Sequence, residues 1–147
     1  MSIRFILSIL LVLFIFCDVG AQKVIEVTIL SDAGEDENHL FEGMIKSEIS
    51  ALLASQYQLK FREVYTDANV NRIEAEIAEI YAERRTDVLI GAGIITSTFL
   101  ADQADYSVPT ISSILLLNDQ EKTADVSKEV SGISNYTYIK SPFNIEA

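Results

Sequence analysis

The stretch "TDVLIGAGIITSTFL", residues 86–100, predicts a buried strand that turns directly into a helix. Its "VLI" core is apolar, as expected for a short strand in the centre of a sheet. Gly91 and Gly93 mark a tight turn, and the residues from Ile94 to Asp102 favour a helix. A strand joined to a helix in this way is the unit from which parallel sheets are built.

The segments on either side extend this unit into an alternating series. "VIEVTIL" (24–30) predicts a strand covered on both faces, whereas "LKFREVY" (59–65) predicts a strand with one exposed face near a sheet edge. "VPTISSILL" (108–116) and "GISNYTYI" (132–139) predict two further strands. The fold class that follows is α/β, a doubly wound and mainly parallel sheet with helices on both faces.

Two amphipathic helices are predicted between these strands from the spacing of apolar residues. In the second helix Ile73, Ile77 and Ile80 share one face. A short helical turn is also predicted at 126–130. In the first helix Glu42, Lys46 and Glu48 lie between the apolar members, which are Leu40, Phe41, Met44, Ile45, Ile49, Leu52 and Leu53.

The first 21 residues have the pattern of a cleaved export signal. Arg4 precedes a short apolar run that ends at Cys17, and Val19 and Ala21 suit a cut before Gln22. Such a run is too short for a typical membrane-spanning helix. Export to the periplasm is therefore predicted, with a lipid anchor on Cys17 as the alternative.

Charge and cysteine content exclude several classes of protein. The net charge is −11, and it is unchanged when Arg4 and Asp18 are removed with the signal. An acidic chain of this kind repels nucleic acid, so no nucleic-acid partner is expected. Because Cys17 is the only cysteine, residues 22–147 form no disulfide; they are predicted to be a single domain.

A binding site is predicted where the strands end, because ligands of open α/β sheets bind beyond the carboxyl ends of the strands. Plainer roles are open for the same residues: Gly93 can simply allow the turn, Thr96 can cap a helix, and Asp32 can form a turn or cap the helix that follows it. The predicted ligand contacts are Asp32, Ala33, Ala92, Gly93, Thr96 and Ser141.

No motif for nucleotide chemistry or catalysis is found. Gly91 and Gly93 follow the third strand rather than the first, Thr96 stands where a dinucleotide-binding turn needs its third glycine, and no phosphate-binding G-x-x-x-x-G-K-[ST] occurs. His39 is the only histidine and is expected to be solvated. The acidic run 35–37 is interpreted as helix-start charge rather than as a metal site. The chain is thus predicted to be no enzyme and to hold no cofactor or metal.

Several phrases resemble the periplasmic binding protein type 1 fold, found in ABC-type substrate-binding proteins. They are a first strand that ends at Asp32, "TDVLIGAGIITS", "VPTISSILLL" and "SGISNYTYIKSPFNIEA". The similarity is greatest to the group associated with outer-membrane efflux channels of the TolC type. It implies a receptor that holds a small solute between two lobes joined by a hinge, with a membrane permease or efflux-channel component as partner.

The resemblance also implies that residues 22–147 are part of a first lobe, since the family continues into a second one. Two other functions stay open at this point. The domain can be an accessory interaction module of an efflux assembly that has lost its solute site, or part of an extracytoplasmic enzyme.

Overall fold

The computed structural model describes residues 22–115 and 131–140. The predicted export signal, Cys17, the predicted turn at 126–130 and Ser141 lie outside these residues. The strands are β1 (Lys23–Ser31), β2 (Tyr57–Tyr65), β3 (Val88–Ala92), β4 (Thr110–Leu115) and β5 (Tyr136–Lys140). The helices are α1 (Leu40–Leu53), α2 (Val70–Glu83) and α3 (Ile94–Ala101).

The five strands form one parallel sheet in the order β2-β1-β3-β4-β5. In the centre, Val27 of β1 pairs with Phe61 of β2 on one side and with Val88 of β3 on the other. The predicted α/β class and the parallel sheet are confirmed, and β2 lies at the sheet edge as its alternating sequence indicates.

Helices cover both faces of this sheet. On the first face, which we call the closed face, α2 and α3 pack on β1 and β3 through Ile73, Ile77 and Leu100, against Leu30 and Leu89. On the second, the open face, α1 packs through two isoleucines. Ile45 and Ile49 of α1 contact a cluster that contains Val27, Ile29, Ile90 and Ala92.

Helix α1 buries only part of the apolar set that its spacing defines. Glu42 is its buried residue, only 3% exposed, whereas Met44 is 58% exposed and Leu52 is 70% exposed. The reason is that α1 is the only described helix on the open face, so the apolar side chains beside Ile45 and Ile49 have no second described helix to pack against.

The ends of α2 are better defined than those of α1. The Asn69 side chain accepts a hydrogen bond from the Arg72 N–H at 3.2 Å, which caps the first turn. Arg84 ends the helix in the left-handed conformation (φ 50°). Arg84 thus lies just beyond the last turn of α2. At the start of α1, His39 makes no such side-chain cap.

Candidate functional site

The candidate site lies at the carboxyl ends of β1 and β3. The chain leaves β1 towards β2 and leaves β3 in the opposite direction towards β4, so the strand order reverses between these two neighbours. Their connections move apart to opposite faces, and such a point is where open α/β sheets form a crevice. The segment 32–39 and the start of α3 border it.

Asp32 joins these two segments by capping α3. One of its carboxylate oxygens accepts from the Ile95 N–H and the other from the Thr96 N–H, each at 2.8 Å. These donors are among the first N–H groups of the helix, which have no partner within it. The position of Asp32 is therefore explained by a cap, although the helix capped is α3 rather than the helix that follows Asp32 in sequence.

Gly93 makes this cap possible. Its φ of 147° lies in the region that side chains other than glycine rarely adopt. A Cβ at this position would overlap the Asp32 carboxylate and would stand only 2.8 Å from the Asp32 Cβ. A glycine is thus required both by the backbone conformation and by the close approach of Asp32.

Gly91 has a different task from Gly93. A Cβ on Gly91 would lie 2.7 Å from the Leu100 Cδ1 and 3.3 Å from the Ser97 backbone N. Gly91 therefore allows α3 to pack close to β3, and Gly93 allows the Asp32 carboxylate to approach the start of α3. Neither leaves room for a phosphate at the helix start, since a carboxylate already occupies the place where an anion would bind.

The turn after β2 closes one side of the crevice. The Thr66 N–H and hydroxyl both donate to the Ser31 carbonyl, at 3.0 and 2.7 Å. The Asp67 N–H donates to the Ala33 carbonyl at 3.1 Å, and the Ala68 N–H donates to the Asp32 carbonyl at 2.7 Å. These hydrogen bonds from residues 66–68 to the backbone carbonyls of residues 31–33 thus fix the start of the segment after β1.

A buried polar pair lies beneath this loop. The Ser31 hydroxyl donates to a carboxylate oxygen of Glu42 and accepts from the Ala33 N–H at 3.1 Å. Ser31 and Glu42 are both almost fully buried. The sequence alone does not predict this pair, because the spacing of Glu42 places it among the exposed polar residues of an amphipathic helix.

The predicted contact residues fall into two groups. Asp32, Ala33 and Gly93 are half-buried at the rim of the crevice. The side chains of Ala92 and Thr96 face the interior, and the Thr96 hydroxyl points to the Gly93 carbonyl at 3.4 Å. The structure therefore brings five of the predicted residues together, and their role as ligand contacts stays a prediction. Ser141 is outside the described residues.

His39 is part of a separate cluster beside the site. Its ring stacks on Tyr65 with a centroid distance of 4.1 Å, and its Nε2 donates to the Glu35 carbonyl at 3.0 Å. Tyr65 donates to Glu63, which also pairs with Lys46. Burial and the neighbouring Glu63 carboxylate raise the pKa of Tyr65 to about 12. His39 is thus half-buried, held by the stack and by one backbone hydrogen bond.

The described residues contain neither a metal-binding cluster nor a helix that could span a membrane. No group of three or more His, Cys, Asp and Glu side chains is arranged to hold a metal ion within residues 22–115 and 131–140. Over the same residues, no helix is long and apolar enough to cross a membrane.

The fold and the crevice define a class: a doubly wound α/β domain with a candidate ligand crevice at the reversal of its strand order. Comparison with protein-family models, with curated proteins and with solved structures gave no match for this chain.

Proposed function

We propose that this chain is the solute-binding lobe of an exported receptor of an ABC-type transport system, and that it binds a small molecule without chemical conversion. The observation that carries the proposal is the crevice between β1 and β3, whose rim is fixed by the Asp32 cap and by the turn after β2. A rim held in place before binding lowers the cost of ordering it around a ligand.

The charge at this rim indicates which solutes fit. Asp32, the run 35–37 and Asp67 are all acidic, and no cation is paired with Asp32 among the described residues. A carboxylate can accept about four hydrogen bonds, whereas Asp32 accepts two from α3. The favoured solute is accordingly neutral or cationic and donates hydrogen bonds, and an anion is disfavoured.

An accessory interaction domain of an efflux assembly is the second candidate. It is favoured by the burial of Ala92 and Thr96 and by the internal use of Asp32, since these leave fewer groups for a solute. In this case the fold is retained as a scaffold, and an efflux-channel component takes the place of the solute as partner.

Thermal unfolding of the full chain with three sets of solutes distinguishes the two candidates. The sets are amines such as arginine and putrescine, neutral sugars, and anions such as phosphate and glutamate. A solute that binds only the folded chain raises its stability by RT ln(1 + [L]/Kd), which is about 2.7 kcal/mol at a hundredfold excess over Kd. The receptor proposal expects a rise with an amine or a sugar and none with the anions.

Two variants locate the binding. Asp32→Asn should strongly reduce the ligand-induced rise, whereas Asp36→Asn, which removes the same charge from an exposed position of the same loop, should reduce it only slightly. If no solute stabilises the chain and an efflux component co-purifies with it, the second candidate is supported. If Asp36→Asn abolishes binding as strongly as Asp32→Asn, the assignment of the site to Asp32 is wrong.

A further inference from the structure

A second concave region, the groove of the open face, lies apart from the crevice. It has a volume of about 340 Å³, and α1 forms its wall while β3, β4 and β5 form its floor. A cavity of this size lies within the range of small-molecule sites. The wall contains Phe41, Met44, Ile45, Glu48 and Ile49, and the floor contains Ile90, Ile111, Ser113 and Ile139.

The strand order explains why the groove exists. Right-handed connections that run in one direction along a sheet lie on one face, and those that run back lie on the other. The connections from β2 to β3 and from β3 to β4 place α2 and α3 on the closed face. Among the connections that the structure describes, only the one from β1 to β2 places a helix on the open face. The apolar side of α1 thus extends past the strands that it covers.

The surface that lines the groove is apolar, and one carboxylate, that of Glu48, is exposed beside it. Ile139 on β5 is 60% exposed and Met44 on α1 is 58% exposed, so both offer unburied apolar surface. The Ser113 hydroxyl is already bonded to the Gly91 carbonyl. Glu48 is the only charged residue among the described residues of the lining, to which it contributes side-chain carbon atoms. It is exposed and has no ion-pair partner within residues 22–115 and 131–139.

We infer that this groove binds a small amphiphilic cation, with its apolar body between α1 and β5 and its positive group beside Glu48. Burial of hydrocarbon surface supplies the binding free energy, and the Glu48 carboxylate selects the sign of the head group. Met44 adapts to different apolar shapes, because its unbranched side chain has several accessible conformations. This site is independent of the crevice and of the solute proposed there.

Titration of the full chain with two matched probes tests the inference. Decyltrimethylammonium and decyl sulfate have the same tail and opposite head groups, and both are used below the concentrations at which they form micelles. Binding is measured by calorimetry and by shifts of backbone amide resonances. The cation is expected to bind about tenfold more tightly than the anion, with the largest shifts in α1 and β5.

Matched variants separate this site from the general attraction of an acidic chain for cations. Glu48→Gln should remove most of the preference for the cation, whereas Glu74→Gln, on α2 at the other face, loses the same charge and should keep it. Ile139→Gln should weaken both probes about tenfold or more. Leu52→Gln changes another largely exposed apolar residue, outside the lining, and should not weaken them.

Three results would overturn the inference. The first is the failure of both probes to bind, as expected if another part of the chain or a second copy fills the groove. The second is an equal loss of preference in Glu48→Gln and Glu74→Gln, which would assign the selection to net charge. The third is an equal effect of Leu52→Gln and Ile139→Gln, which would indicate unspecific adsorption.

Discussion

Helices α1 and α2 are both 14 residues long and both have a stripe of apolar residues, but only α2 buries that stripe. Ile73, Ile77 and Ile80 of α2 are almost inaccessible to solvent. In α1, Met44 and Leu52 are largely exposed while a carboxylate, Glu42, is buried. The two helices therefore contribute to the fold in different ways despite their similar patterns.

The difference shows that apolar spacing selects the face of a helix, whereas the sheet decides how much of that face is covered. α2 is accompanied by α3 on the closed face, and the two share one apolar cluster. α1 is the only described helix on the open face and contacts the sheet mainly through Ile45 and Ile49. Removal of apolar atoms should consequently cost more on the closed face than on the open face.

The largest effect is expected for Ile77→Ala on α2. Ile77 is fully buried in the closed-face cluster, and truncation of a buried isoleucine costs about 2–5 kcal/mol of unfolding free energy. Ile49→Ala on α1 is the matched change, and we expect about half of that cost because Ile49 is only partly buried. Urea unfolding of both variants measures the two values; equal costs would contradict the difference between the faces.

The next largest effect is expected for Gly93→Ala, at the start of α3 on the closed face. The unfavourable backbone conformation and the overlap with Asp32 together should cost about 2–3 kcal/mol. Asp32→Ala alone should cost about 1 kcal/mol, as is usual for a lost cap. A double-mutant cycle checks the contact: Gly93→Ala must cost less when Asp32 is already alanine, and strict additivity would refute the explanation.

The cap also marks the limit of what the sequence could predict. The alternation of strands and helices, the edge position of β2 and the buried face of α2 follow from local periodicity. The bond between Asp32 and Ile95 spans 63 residues and depends on β1 and β3 being neighbours in space. Local patterns contain no information on that pairing, so Asp32 was assigned to a turn, a cap of the next helix or a ligand.

The burial of Glu42 was missed for the same reason. The residue stands between apolar positions of α1, and only the contact with Ser31 at the end of β1 explains why it is buried. The exposure of Met44 was likewise unpredictable, because the helical period does not tell whether the strands beyond β3 are covered. Both errors concern α1, and none concerns the buried face of α2.

A pH-dependent loss of stability is expected from Tyr81, which ends the apolar stripe of α2. Its hydroxyl is bonded to the Thr110 hydroxyl at 3.0 Å, and burial raises the pKa of Tyr81 to about 12. Between pH 10 and pH 12 the unfolded chain loses this proton while the folded chain keeps it. The unfolding free energy should therefore fall over this interval, by about 2 kcal/mol, and should be unaffected by Tyr81 below pH 10.

Tyr81→Phe provides the control for this prediction. The variant lacks the hydroxyl hydrogen bond, so it should be about 1 kcal/mol less stable than the wild-type chain near neutral pH. Since it has no proton to lose at this position, its stability should fall less steeply from pH 10 to pH 12. If the two chains lose stability in parallel over this interval, the loss arises from other groups.

The smallest effect is expected for Met44→Gln on α1. The two side chains are similar in size, and Met44 is mostly exposed over the groove, so the unfolding free energy should change by less than about 0.5 kcal/mol. A loss of 2 kcal/mol or more would show that the groove is filled in solution. Unfolding at several protein concentrations would then identify the occupant: dependence on concentration indicates a second copy, and independence indicates another part of the same chain. In either case the open face would be an interior surface like the closed one. The difference in burial between α1 and α2 would then hold only within the described residues.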